Sequence, residues 1–414
     1  MTAAAIWLIA LAAILAILVR PRGWPEAVWA CAGAFALVLF RLIPVSRALA
    51  AAAKGSDVYL FLTGMMLLAE LARIEGVFDW LAAISVARAR ASRARLFALV
   101  YAVGILVTTF LSNDATAIVL TPAVYASVRK ARVDPLPYLL ACAFIANAAS
   151  FVLPISNPAN LVVYGSHLPP LAKWLKFFFL PSLVSIAATW IVLRLLFRDP
   201  LSGPMAPMDG VAPLSSAGRR AAWGIAATGG VLILASGLGR DLGLPTCAAA
   251  LAAVLVVTRA RGLASLIRSV SWSVLPLVAG LFVMAEAVES TGSLHAATEA
   301  LVRLARLPTV AGSLAVSFGI ALLSNLINNL PSGLVAGAAL AGVHVPDHIR
   351  HALLIGVDLG PNLSVTGSLA TILWLVVLRR EGEPVSARSF LATGVLVMPG
   401  ALLFSTLALL LTAQ

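Results

Sequence analysis

Charged side chains are scarce in this chain: Asp, Glu, Lys and Arg make up 11% of its 414 residues, against 61% hydrophobic residues and a mean hydropathy of +1.01. A soluble globule needs about a quarter of its residues charged, so that class is excluded and a polytopic membrane protein is implied. Cysteine is nearly absent too. Cys31, Cys142 and Cys247 lie far apart in apolar segments, without the spacing of a metal site or of a disulfide framework. A Walker A motif is lacking, so any use of ATP would require a separate partner. No nucleophile stands beside a base and no soluble domain is available for catalysis, so no enzyme, cofactor or catalytic residue is expected. His344, His348 and His351 lie near one segment end and are not read as a metal site.

What remains is apolar and basic. The net charge of +12 would suggest nucleic acid in a soluble protein, but the basic residues sit in short loops between apolar runs, where they orient helices. No nucleic-acid partner is expected; lipid is. The opening stretch, MTAAAIWLIALAAILAILVR, lacks a basic region before its apolar run and reads as a first span rather than a cleaved signal. Runs long enough to cross a hydrocarbon layer of ~30 Å recur along the chain. The Pro/Gly/Ser-rich stretch Arg198 to Arg220 divides it almost equally. Trp24, Trp29 and Trp174 read as interface anchors.

The two halves repeat. Gly64, Glu70 and Gly76 match Gly280, Glu286 and Gly292, an offset of 216 residues, and Asn113 to Asp114 falls opposite Asn328 to Asn329 within one residue. Cys31 and Cys247 also fit the offset, and that match is taken as coincidence. The arginine-rich loops around Arg88 to Arg95 and around Arg259 to Arg268 both favour the cytoplasm.

Two pairs of broken segments carry the chemistry. FLSNDATAIVLTP (110–122) answers LLSNLINNLPSG (322–333), and LPISNPANLVV (153–163) answers GPNLSVTGSLATI (360–372). Paired interrupted segments in corresponding halves point to the binding site of a secondary transporter. Asp114, flanked by Asn113, Thr116 and Thr121, is an intramembrane acid of the kind that costs several kcal/mol unless protonated, paired or facing water. Ser-Asn-Asp is also good helix-capping chemistry. Asn328 and Asn329 offer neutral donors and acceptors. Ser156, Asn157, Pro158 and Asn160 align with Thr366, Gly367 and Ser368 at breaks that free backbone groups for a ligand. Asp358 is a second protonatable group, with neutral Asn147 near the corresponding point. Glu70 and Glu286 are equally readable as interfacial acids.

FLSNDATAIVLTP, INNLPSGLV and GVDLGPNLSVTGSLATILW resemble the arsenite/antimonite efflux permeases, the arsenical pump membrane protein family of the ion transporter superfamily, over essentially the whole chain. The resemblance implies an all-α fold of two inverted-topology repeats, about 10–12 transmembrane helices with two re-entrant hairpins, and a scaffold beside a transport domain. On that pattern residues 1–198 form the first repeat, with scaffold helices in 1–54 and a transport part in 55–198 whose hairpin lies near 135–165. Residues 199–220 are the linker, and 221–414 the second repeat with a hairpin near 347–375. The family's motifs fall on Asn113, Asp114, Ser156, Asn157, Asn160, Asn328, Asn329, Asp358, Thr366, Gly367 and Ser368. The chain departs from the pattern at Asn147, where an acid is common, at Pro158, where a Leu-like residue is, and at Asn362, where a basic residue is.

The implied activity is export of trivalent metalloid hydroxides across a bacterial or archaeal cytoplasmic membrane in exchange for protons. Asp114 and Asp358 would couple protons, and the amides and hydroxyls would bind substrate. Arsenous acid is a neutral trihydroxide near pH 7, which suits hydrogen-bonding groups without a cationic clamp, and no Lys or Arg stands beside the motifs. The alternatives are a sodium/proton antiporter and a sodium-coupled dicarboxylate transporter of the same superfamily.

Overall fold

Apolar runs without alternation fold as helices, because only an internally hydrogen-bonded backbone is tolerated in lipid. The structure, a computed structural model, describes residues 2–19, 21–165, 168–206, 210–258, 262–292, 294–341, 343–383 and 385–412. Arg259 and Arg261 lie outside the described residues. Every regular element described is helical, apart from one isolated bridge between Ser92 and Pro204. Among the described residues, four helices are individually long and apolar enough to cross a membrane: Arg93–Phe110, Leu171–Leu196, Thr309–Ile327 and Ala387–Thr412. The other apolar runs are shorter or broken, so the ten to twelve expected segments are not all single unbroken helices.

The ends of the bundle can be followed through side-chain contacts. At one end, Tyr138 Oη donates to Arg93 O at 3.1 Å, and Arg93 donates to Pro204 O at 3.0 Å. Tyr125 Oη donates to Glu381 O at 3.4 Å there. At the other end, Thr412 Oγ1 donates to Phe177 O at 3.3 Å, and the Phe177 ring packs tilted against His351 with centroids 4.3 Å apart.

These contacts move the hairpins. The chain enters from the arginine end along Arg93–Phe110, breaks at Leu111 and Ser112, and returns to the same end through Thr121–Lys130. Thr309–Ile327 and Asn329–Ala341 do the same from the opposite end. The segments expected to be hairpins, 135–165 and 347–375, instead run from one end to the other. Each is a pair of helices, Leu136–Ala148 with Pro158–Tyr164 and Asp347–Leu359 with Leu369–Arg380, separated by an unwound break. A Pro/Gly break marks loss of helix, whereas a return requires both ends on one side, which only tertiary contacts reveal.

The repeat also organises the packing. A Cβ on Gly64 would meet the Thr246 backbone at 2.7 Å, and one on Gly280 would meet the Ala30 backbone at 2.7 Å. Each half thus lends a helix to the other, and Ala30 and Thr246 stand at the same offset as the glycines. Cys31 and Cys247, one residue on, therefore occupy corresponding positions of the two halves. Ser56–Ile74, expected in the transport part, packs along Gly243–Thr258, with Asp57 accepting from Gly243 N at 2.7 Å. Glu70 pairs with Arg73 and Glu286 with Lys54, the latter at 2.7 Å, so both are ion-paired acids. Trp174, expected at the lipid interface, is fully buried. Its Nε1 donates to Phe151 O at 3.1 Å inside the first break.

Candidate functional site

Each hairpin is pinned just before its tip. Thr108 Oγ1 meets Thr116 Oγ1 at 2.8 Å in the first, and Ser324 Oγ meets Ser332 Oγ at 2.7 Å in the second, the same pair displaced by the repeat. The first tip then restarts as a helix. Ser112 Oγ accepts from Ala115 N at 3.2 Å, Asn113 Oδ1 accepts from Asp114 N at 2.9 Å, and Thr116–Leu120 forms a single π-turn, a distortion common at functional sites. At the second tip Asn328 adopts φ +77°, and its Nδ2 donates to Thr366 O at 3.4 Å. A non-glycine residue held there stores strain that only surrounding contacts sustain.

The breaks are held by the same residue types. Asn157 Oδ1 caps Ala159 N at 3.0 Å, and its Nδ2 donates to Asp358 Oδ1 at 2.7 Å. Asn160 Nδ2 donates to Ser150 O, Leu153 O and Pro154 O, satisfying carbonyls freed by the unwinding. Ser156 Oγ donates to Thr109 O at 3.0 Å, and Thr366 Oγ1 donates to Asn325 O at 2.9 Å, tying each break to a hairpin of its own half. Ser368 Oγ accepts from Thr371 N at 3.1 Å.

A narrow cleft of about 10 Å³ forms where these parts meet. Asn113, Asp114, Asn157, Asn329 and Ser368 line it, together with Leu62, Val274 and Val278 from the facing helices. Four helical segments begin there, at Asn113, Pro158, Asn329 and Leu369, and their N-terminal dipole ends favour an oxygen-rich ligand. Among the described residues Asp114 is the only ionisable group in the lining. Asp358 stands behind Asn157 and is fully buried.

The other expected site residues do not line the cleft. Thr116, Ser156 and Asn160 are buried structural partners, Gly367 is buried against Pro361, and Asn328 and Thr366 hold one another. Asn325 escaped the reading of the sequence. It donates to Ala321 O and Gly360 O, both at 2.8 Å, and its Oδ1 accepts from Ser364 N at 3.0 Å, joining the second hairpin to the second break. Its place three residues before the Asn-Asn pair was the available signal. The apolar wall of Leu62, Val274 and Val278 carried none, since such residues fill every helix here.

A cavity of about 610 Å³ lies beyond the cleft, toward the end opposite the arginine loops, lined among others by Lys54, Asp57, Tyr164, Glu286 and Arg350. Val58, Leu161, Phe282 and Leu334 border it, each three or four residues from the cleft-lining Leu62, Pro158, Val278 and Leu330. The cleft is therefore about one helical turn from the floor of this vestibule.

The CitMHS family, described as "Citrate transporter", matches residues 9–357. The "Arsenical pump membrane protein" of Escherichia coli K12 is 30% identical over 355 residues, covering 81% of each chain, and that of Yersinia enterocolitica is 29% identical over 353, again 81% of each. An uncharacterized transporter of Mycobacterium tuberculosis is 29% identical over 376 residues, 85% of each. Among solved structures, the Alcanivorax borkumensis YdaH transporter, whose topology is described as unusual, aligns with a TM-score of 0.55 over 87% of this chain and 86% of its own, at 15% identity. That last likeness concerns the fold alone.

Proposed function

Since this chain belongs to the arsenical pump membrane protein family, within the span matched by the CitMHS citrate-transporter family, we propose that it exports trivalent metalloid hydroxides, arsenite and antimonite, in exchange for protons. The protein is a multi-pass membrane transporter and not an enzyme. The observation that carries the finer reading is the cleft itself. It offers three amides, a hydroxyl and one carboxyl, and no Lys or Arg among its described lining residues. A neutral trihydroxide needs only donors and acceptors, and the cleft, which at about 10 Å³ has room for about one water, must widen to admit it. A di- or tricarboxylate would bring two or more negative charges to Asp114 with no cation to offset them.

In this reading Asp114 exchanges its proton as substrate leaves, and Asp358, joined to the cleft through Asn157, is the second station. Protonation drives export only if it favours one facing state over the other. The arginine end, with Arg88, Arg90, Arg93, Arg95, Arg129, Lys130 and Arg379, faces the cytoplasm of a bacterial or archaeal cell by the positive-inside rule. The vestibule then opens outward, and the structure corresponds to the releasing state. ATP-driven export would need a separate soluble ATPase.

Proton movement in proteoliposomes of the pure protein tests this, with arsenite, antimonite or citrate added with and without sodium. Metalloid-evoked proton flux without sodium, abolished in Asp114→Asn, is expected. Flux that requires sodium and ignores metalloid, or that answers citrate instead, would overturn the assignment.

A further inference from the structure

The pins at the two hairpin tips fix how the repeat aligns there. Thr108 and Thr116 correspond to Ser324 and Ser332, each displaced by 216 residues. Carried through the tips, the same offset sets Asn113 against Asn329 and Asp114 against Leu330, and it sets Leu62 against Val278 on the facing helices. All six residues line the one cleft. The repeat is kept in position and broken in chemistry, since the first tip presents a carboxyl where the second presents a leucine.

Leu62, Val278 and Leu330 are buried. One turn along the same helices, Val58, Phe282 and Leu334 border the cavity of about 610 Å³. The three side chains thus stand between an open vestibule and a cleft of about 10 Å³, with room for about one water. They are carried by helices fastened to different neighbours. Leu62 lies two residues from Gly64, which closes on the Thr246 backbone, and Val278 lies two residues from Gly280, which closes on the Ala30 backbone. Leu330 belongs to Asn329–Ala341, where a Cβ on Gly337 would meet Val162 O and Val163 O at 2.9 Å, so the second hairpin is fastened to the helix after the first break. Aliphatic contacts carry no hydrogen bond, so these side chains can separate without leaving a polar group unpaired.

We propose that Leu62, Val278 and Leu330 form an apolar plug that insulates Asp114 from vestibule water, with Leu330 the residue that keeps exchange tight. The inference rests on the reading of Asp114 as the proton carrier. A proton crosses a constriction along a chain of water, and an aliphatic lining expels that chain. Without the plug, water at the vestibule floor would reach Asp114 one turn away, and its proton would equilibrate there whether or not substrate moved. A neutral hydroxide displaces the side chains as it passes, so wetting and substrate passage coincide. An acid at position 330, the chemistry of the first tip, would keep a wet route open from vestibule to cleft. That accounts for the leucine at the one cleft position where the two tips differ in charge.

The test is proton leak in proteoliposomes of the full chain under an imposed pH gradient, with the membrane potential clamped and no metalloid present. Wild type should hold the gradient. Leu330→Ser keeps the tip bond from the backbone N of residue 330 to Asn328 Oδ1, 3.3 Å long, and brings a hydroxyl into the plug. It should dissipate the gradient more than about tenfold faster than wild type, the order expected from the loss of one buried leucine side chain. Leu330→Ile, apolar and of equal volume, should hold the gradient, and adding Asp114→Asn to Leu330→Ser should abolish the leak. A tight Leu330→Ser, an equally leaky Leu330→Ile, or a leak that persists without the carboxyl each overturns the plug. Should Leu330→Ser fail to fold, Val278→Ser on the facing helix replaces it with the same outcomes. The leak is read without substrate, so failure of the metalloid reading would show separately, in the evoked flux.

Discussion

The Asn157 to Asp358 bond is the contact that joins the cleft lining to the buried acid, and its strength can be measured. The 2.7 Å contact is buried and joins the breaks of the two halves. Asn157→Ser keeps an oxygen for the Ala159 cap but is too short to reach Asp358. It leaves Asp358 Oδ1 without its donor, at a cost of about 1–3 kcal/mol. Asp358→Leu leaves Asn157 Nδ2 unpaired while removing the buried carboxyl, so its own sign depends on two opposed effects. The double substitution removes both partners and should lose less than the sum. A double-mutant cycle in mixed-micelle unfolding should therefore give a coupling of about 1–3 kcal/mol, within the range for residues in direct contact. Additivity within about 0.5 kcal/mol would show that the two side chains do not support one another, and the route from cleft to Asp358 would be refuted.

Further outcomes follow from the same geometry. At Asn328, held at φ +77°, Gly should unfold near the wild-type temperature, while Val should cost about 1–3 kcal/mol because a branched side chain resists positive φ; Val matching Gly would contradict the tip conformation. Gly64→Val and Gly280→Val each place side-chain atoms against a neighbouring backbone and should each destabilise by about 1–3 kcal/mol in thermal unfolding, alike because the contacts are repeat-related. If only one does, the two contacts are not equivalent. Lys54→Cys, on the exposed wall of the vestibule, should react with a membrane-impermeant maleimide added outside intact cells, and Arg95→Cys only after the membrane is opened. The reverse pattern would invert the orientation.

Much of this molecule was legible in the sequence. The scarcity of charge fixes the solvent, the 216-residue repeat fixes the pseudo-symmetry, and Asn113, Asp114, Asn157, Asn329 and Ser368 were all readable as polar residues at breaks that lipid would not tolerate without a purpose. Local composition reports such conflicts directly, because a polar or helix-breaking residue in an apolar run is costly wherever the chain goes next.

Only the tertiary structure decided which breaks turn back and which continue across. Pro158 and Ser112 interrupt helices in similar ways, yet the chain crosses at one and returns at the other, and the difference lies in what Tyr138 and Phe177 touch at the two ends. The same holds for the apolar wall of Leu62, Val274 and Val278, for Asn325, and for Trp174 in the core. Their roles depend on neighbours distant in sequence, and hydropathy, which sums over adjacent residues, carries no information about those.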